Sequence, residues 1–597
     1  MADAQQSAPP PRRRGETMNR LWARLCTLSR GSTGIARQPE PRSIGSFARG
    51  RQLCAGTFLF AGGLVEAPGA AIWEIAMPSA RFEEEVHGFA WLDDLAAAGD
   101  GAARRRAQDW TLGWIDRFGR GKGPGWAPDL AGRRLVRWLH HALMLLNGLE
   151  PARSESVFRS LAQQTLFLAR RWQSADAGLP RFEALTALVY AGLSLKGMES
   201  HLAPALKALE RECAREIDEG GGLASRNPEE LLEVFTLLTW AEAALRDAGR
   251  EPAPAHGAAV GRIAPTLRAL RHADGGLARF HGGGRGAEGR LDQALAEAGV
   301  KPRPVRGLAM GYARLSAGRT TVIVDAALPP PTAGAHASTL SFELTSGRRP
   351  VIVNCGSGAG FGDEWLRAGR ATPSHSTLAL RGFSSSRLAP RRSGSGLSPL
   401  AERPRSVEFR AETGPAGHSL TAWHDGYGST HGLTHVRQFM LAYDGRALSG
   451  EETLAAFADA ERATFDRMLG RSGGEGIAFD IRFHIHPDVD TEIDMGGAAV
   501  SLALKSGEIW VFRHDGAAEL QLLPSVYLEK GRARPRATKQ IVLSARVMDY
   551  ASLITWTLAK AQDGSSAQAP HDLGQEDEAE QAWVLPWARR VRPDHEG

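Results

Sequence analysis

The rhythm of the apolar residues changes once along the chain, at about residue 305, and this change restricts the architecture more than any other feature. Between about residues 85 and 300, apolar side chains recur at helical spacing in RRLVRWLHHALMLL (133–146), SVFRSLAQQTLFLARRW (156–172), RFEALTALVYAGLSL (181–195) and PEELLEVFTLLTWAEAAL (228–245). Such spacing lays an apolar stripe along a helix. Gly, Pro and Ser breaks separate the stretches, the punctuation of antiparallel helical hairpins. Beyond 305 the runs shorten and alternate, as in TTVIVDAAL (320–328), STLSFEL (338–344), RPVIVNCG (349–356), SVEFRAE (406–412), AFDIRFHIHPDV (478–489), AAVSLAL (498–504), GEIWVFRH (507–514) and KQIVLSARV (539–547). Period-two runs between turn residues predict an antiparallel sandwich.

A helical block followed by a strand block forms separate domains, and 597 residues exceed what one hydrophobic core holds. The sequence divides into an Arg- and Pro-rich segment (1–50) expected to be disordered, a mostly helical domain (51–304), a β-sandwich (305–562) and a polar tail (563–597). The tail carries QEDEAEQ (575–581) and an apolar patch around Trp583 and Trp587. A cleft between the two domains is the expected binding place.

The net charge of +5 owes much to Arg12, Arg13, Arg14, Arg20 and Arg24. No nucleic-acid module accompanies it, so no nucleic acid is expected as a partner. No apolar run of ~18 residues exists to span a bilayer. Four dispersed cysteines, Cys26, Cys54, Cys213 and Cys355, have neither zinc-knuckle nor disulfide-framework spacing and read as free thiols. The first apolar stretch, Thr57 to Val65, comes too late for a standard secretory signal. HGGGRG (281–286) lacks the Gly-Lys-Ser/Thr ending of a phosphate loop, which excludes a nucleotide site.

The segment GAHASTLSFELTSGRRPVIVNCGSGAGFGDEWLRAGRATPSHSTLAL (334–380) is the most distinctive in the chain. With His336, Ser341-Phe342, Asn354-Cys355-Gly356 and His375-Ser376-Thr377 it resembles the heparinase II/III family. In that family a His-x-His strand, a strand ending before Gly and a His-containing loop follow in this order. GGGLASRNPEELLEVFTLL (220–238) resembles the family's helical-domain motif, and HADGGLARFHGGG (272–284) its Asp-Gly loop. The resemblance covers most of residues 85–560. It implies an N-terminal α/α toroid-like domain followed by the antiparallel sandwich.

For function, the resemblance implies a polysaccharide lyase acting by β-elimination on an acidic, uronic-acid-containing glycan, at work in the cell envelope or periplasm. The absence of a standard signal peptide points instead to the cytoplasm. β-Elimination needs a group to neutralise the substrate carboxylate and proton-transfer groups near neutral pKa. The candidates are His375, His336, Tyr312 and Glu230 as catalytic groups, with Arg226, Asn227, His272, Arg279 and His281 binding substrate. Some family members also hold zinc, at positions that fall here on His336, Asn354 and His375. Asn354 puts a neutral amide where the others have an anionic ligand. The family's first His falls on Gly334, its Asp on Ser338, and its helical-domain Tyr-His pair on Glu230 and Leu231. These departures leave a second reading, a non-catalytic glycan-binding or envelope-assembly protein on the lyase fold. A third, a hydrolase, needs two facing acids such as Glu230 and Glu343.

Several residues have a structural reading. Asn227 precedes Pro228 and a helix, as an N-cap does. His424, His431, His435, His484 and His486 lie outside the family motif and read as structural. Trp365, Trp423 and Trp510 suit sugar stacking or, more commonly, core packing.

Overall fold

A computed structural model describes residues 15–29, 31–390 and 397–561. The C-terminal patch at Trp583 and Trp587 lies outside the described residues. Among the described residues, no helix is long and apolar enough to cross a membrane.

The helical half is built as the periodicity predicts. Pro128–His140, Leu179–Ser194 and Pro228–Asp247 are buried on most sides and pack in succession, the middle helix touching both others. Pro151–Arg171 and Leu202–Glu216 pack outside them with one face exposed. Each of the three inner helices starts with Pro in its first turn, where a missing N–H costs nothing.

The expectation that residues 1–50 stand outside the fold fails for the described part. Glu16–Cys26 is a helix that buries Asn19, Ala23 and Cys26 against Pro151–Arg171. Residues 31–46 then run as a strap over the C-terminal ends of the inner helices. Ala36 N–H donates to the Ser194 carbonyl (2.8 Å) and Gln38 Nε2 to the Leu139 carbonyl (3.0 Å). Ser43 Oγ donates to Asp93 Oδ1 (2.7 Å). At Gly45 a Cβ would sit 1.9 Å from the Asp93 carbonyl oxygen, so only glycine fits. Hydrogen bonds from backbone and polar side chains, with one close approach, hold this strap, and none of these leaves an apolar rhythm in the sequence.

The second half is two antiparallel sheets. In one, the spatial order is Val407–Gly414, Gly417–Tyr427, Leu433–Ala442, Ala447–Ala455, Ala551–Lys560, Ile509–His514, Ala499–Leu504 and Val489–Asp494. The other runs Glu519–Tyr527, Arg536–Val547, Ile477–Ile485, Arg349–Val353, Phe342–Ser346, Thr320–Asp325 and Tyr312–Ala317, with Leu378–Leu380 also pairing to Ile477–Ile485. Phe342, Phe439, Phe483, Phe512 and Trp556 fill the space between the sheets. Trp510 is in this core, so it does not stack on a sugar. The domain boundary is a shared surface: Ala309, Met310, Tyr312 and Ile323 belong to the helical domain's core although they lie in the strand half of the chain.

Candidate functional site

The family-like residues meet where the sandwich abuts the N-terminal ends of the inner helices. Asp325 ends one strand, Asn354 follows the strand Arg349–Val353, and His375 follows the turn Thr372–Ser374. The loop carrying His336 crosses between them. From the helical side come Arg226 and Asn227, ahead of Pro228–Asp247, and the loop 272–284. Arg226, His281, Met310 and Leu340 all have positive φ, four of the six such non-glycine residues among those described. Backbone strain of this kind gathers where surrounding structure over-determines the conformation.

His336 and His375 are in contact, as the motif order implies. His375 Nδ1 donates to the Ala371 carbonyl (2.9 Å), so its Nε2 carries the lone pair. His336 Nδ1 lies 3.1 Å from that Nε2 and donates to it, a tautomer assigned from the network. The relay leaves His336 Nε2 as a lone pair without a protein partner among the described residues. The pair is shut in: His336 is 4% and His375 3% exposed. Burial keeps both imidazoles neutral, pushing His375 down to about 4 and His336 well below the usual histidine range, with His375 and Arg370 adding to the latter. Arg370 anchors the adjoining loop by donating to the Ala335 carbonyl (2.8 Å).

Arg226 is not available to a substrate carboxylate. Its five N–H groups donate to the carbonyls of Met310 (3.1 Å), Ala327 (3.1 Å), Leu328 (2.8 Å) and Gly311 (2.8 Å) and to Asp325 Oδ1 (2.5 Å). All the acceptors lie on the sandwich side, so the guanidinium bolts the domains together. Tyr312 is likewise committed: its hydroxyl donates to the Arg226 carbonyl and its ring lies under the guanidinium, 4.7 Å away. Burial pushes the Tyr312 phenol well above its ordinary range, against a proton-transfer role. Asp325, absent from the sequence candidates, is fully buried and also accepts from Ser338 Oγ (2.7 Å). Burial raises its carboxyl despite Arg226.

Asn227 is the helix N-cap. Its Oδ1 accepts from the N–H groups of Glu229 (3.0 Å) and Glu230 (3.2 Å), and its Nδ2 donates to the His281 carbonyl (3.3 Å). Glu230 lies near the start of the neighbouring inner helix, 3.4 Å from where a Cβ on Gly178 would sit, with its carboxyl raised by burial. It is a structural acid rather than a catalytic one. His281 Nδ1 accepts from the His336 N–H (3.2 Å), and its Nε2 lies 3.5 Å from Asp325 Oδ2 without a hydrogen bond. Burial, then Arg226 and the neighbouring histidines, hold this ring neutral.

His272 and Arg279 converge on Glu343, not on open space. His272 Nε2 lies 3.1 Å from Glu343 Oε2, Arg279 Nε donates to Oε1 (3.1 Å), and Arg279 also bonds the Tyr527 hydroxyl. Burial would raise the Glu343 carboxyl, but Arg279 and His272 outweigh it and hold it below the usual range. Glu343 is thus consumed, and the facing acid pair of the hydrolase reading does not form.

Behind the site lies a buried network that motif reading passes over. Arg437 donates to Glu452 (2.6 Å) and to the carbonyls of Leu340 (2.7 Å) and Ser376 (2.8 Å), the backbone on either side of the His336–His375 pair. Glu452 also bonds His435 (2.8 Å) and Trp556 Nε1 (3.2 Å). His424 leans on His435 (3.4 Å), and His484 is spent on Ser525 (2.8 Å) and the Pro373 carbonyl (3.0 Å). Charged residues at inward positions of alternating strands were the available signal.

The zinc set does not fit. Asn354 Oδ1 is committed to the Ser376 N–H (2.9 Å), and its Nδ2 is buried without a partner. That group is a donor, which repels a cation. The two imidazoles bond each other, and no cluster of three or more His, Cys, Asp or Glu suited to a metal occurs among the described residues.

Comparison with known proteins bears on the family and the fold. The family described as Heparinase II/III-like, C-terminal, matches residues 299–557. FtsZ-localized protein C of Caulobacter vibrioides (strain NA1000 / CB15N) is 30% identical over 540 residues, covering 88% of this chain and 90% of that protein. Among solved structures, heparinase III superposes with a TM-score of 0.64 at 13% identity, over 93% of this chain and 91% of that one. A mutant of the heparan sulfate lyase HepC from Pedobacter heparinus gives 0.55 at 14% identity, over 93% and 89%. At these identities the solved structures speak for the fold, a helical toroid followed by a β-sandwich. With the full-length relative and the ordered motifs at one domain junction, the chain belongs to the heparinase II/III-like family.

Proposed function

We propose that this chain uses the lyase fold as a non-catalytic scaffold, an envelope-assembly protein acting with an FtsZ-containing complex. The observation that carries this reading is the commitment of the candidate groups. Arg226 has no N–H left, Tyr312 and Asn227 serve the backbone, and Glu343 is bonded elsewhere. A polymer needs an open groove, whereas His336, Asn354 and His375 are buried. The similarity to FtsZ-localized protein C along nearly its whole length supports the choice of partner. The four free thiols suit a reducing compartment, so the scaffold reading takes the cytoplasmic location.

A lyase of acidic glycans is the second reading, favoured by His336 Nε2, a lone pair held in one tautomer by the relay through His375. In that reading the junction opens, His336 Nε2 takes the C5 proton, the C4–O bond breaks as the C4=C5 double bond forms, and the leaving oxygen takes a proton from water. The test is to incubate the purified chain with a panel of uronic-acid polymers, with and without zinc, following the ultraviolet absorbance of the unsaturated product. In parallel, co-sedimentation with FtsZ polymers is measured. Co-sedimentation without product is expected; product formation that is lost in His336→Ala would overturn the scaffold reading.

A further inference from the structure

The amide of Asn354 separates this chain from a zinc protein by one atom. His336 Nδ1 and His375 Nε2 face each other at 3.1 Å. The edge of a tetrahedral zinc shell with nitrogen ligands is about 3.3 Å, from Zn–N distances of roughly 2.0–2.1 Å. The spacing alone therefore matches two neighbouring zinc ligands, while the Nδ1–H aimed at the Nε2 lone pair must be given up before both nitrogens can face an ion. His375 is oriented from behind by its Nδ1 hydrogen bond to the Ala371 carbonyl (2.9 Å), the support a ligating histidine ordinarily has.

The third position decides the outcome. Asn354 Oδ1 takes the Ser376 N–H, one residue beyond His375, which leaves Nδ2 as a buried donor with no acceptor. Such an orphaned buried donor is rare in a well-packed protein. A carboxylate there would keep the Ser376 bond with one oxygen and place a second, anionic oxygen where Nδ2 now lies. Neutral amides bind zinc poorly, and two imidazoles alone make a weak site.

We propose that His336 and His375 form a metal-free hydrogen-bonded relay in this chain, with Asn354 held beside it through Ser376, and that a single anionic side chain at position 354 converts the cluster into a zinc site. The relay does the work a metal would do, tying the loop 334–340 to the loop 372–377 without any ion.

The experiment compares the full-length wild type with Asn354→Asp, each loaded with zinc and dialysed, by elemental analysis and by the visible spectrum after cobalt substitution. The wild type is expected to keep less than about 0.1 zinc per chain, and Asn354→Asp roughly one, with a tetrahedral cobalt spectrum. Adding His375→Ala to Asn354→Asp is expected to abolish retention, which locates the metal. Asn354→Cys, offering a thiolate at the same place, is the second variant should Asn354→Asp not fold. Near-stoichiometric zinc in the wild type would overturn the proposal, as would folded Asn354→Asp and Asn354→Cys proteins that both bind none.

Discussion

Replacing Arg226 by Met removes the five donors that cross the domain junction while keeping a long apolar stem over Tyr312. The loss is dominated by Asp325, fully buried, which loses its cationic partner and keeps Ser338 Oγ as a donor. Breaking a buried ion pair from one side costs about 3–5 kcal/mol. Four carbonyls, of Met310, Gly311, Ala327 and Leu328, lose a charge-assisted bond each, worth about 1.5–3 kcal/mol in isolation. Water entering the loosened junction restores part of that, so the net expectation is roughly 5 kcal/mol. In a chain of two domains a single unfolding free energy is not well defined, so calorimetry that resolves the transitions is the suitable assay. The β-domain transition should fall by roughly 10 °C. Hydrogen exchange in 334–340 and 372–377 should accelerate. The pair of changes Arg226→Met and Asp325→Leu should recover most of the loss, since an apolar pair leaves no stranded charge. A single variant within about 1 °C of wild type, or a double variant worse than the single, would refute the bolt assignment.

Three further outcomes are expected. Asn227→Ala should lower the helical domain's stability by about 1 kcal/mol through loss of the N-cap bonds, measurable as a shift in its calorimetric transition, whereas Asn227→Asp should cost less. Asp94, raised by burial to about 6 from 3.8, penalises the folded state once it ionises, so its favourable contribution is complete below the unfolded value and is lost as pH rises through about 6. Asp94→Asn, which keeps an acceptor for the Ser46 N–H, should therefore stabilise by up to about 2 kcal/mol at pH 7 and lose that advantage below pH 4 in thermal scans. Glu452→Leu strands Arg437 in the sandwich core and should cost about 3–5 kcal/mol, with faster exchange around Leu340 and Ser376 as the diagnostic sign.

The order of motifs along the chain was enough to bring His336, Asn354 and His375 to one place, because all three lie in connections between paired strands: His336 between Thr320–Asp325 and Phe342–Ser346, Asn354 directly after Arg349–Val353, and His375 shortly before Leu378–Leu380. Roles were harder to read. An Arg, a Tyr and two His in family-like positions look like substrate-binding and catalytic groups, yet whether a polar side chain is free depends on what it meets. Arg226 meets four carbonyls and a carboxylate contributed by residues 310–328, and no local pattern announces this. Glu452 and Arg437 were overlooked for the converse reason: a charge inside an alternating strand looks like a surface position until the partner strand places both inside.

By itself the sequence determined the two-part architecture, since periodicity is a local property that sets which face of each helix or strand must leave water. It also determined the absence of an anionic side chain at position 354. Tertiary structure alone decided that residues 16–29 and 31–46 belong to the fold, that Arg226 is an interdomain bolt, and that His336, Asn354 and His375 are sealed from solvent. Those outcomes rest on hydrogen bonds and burial between segments up to hundreds of residues apart, and such contacts exist only once the domains have packed.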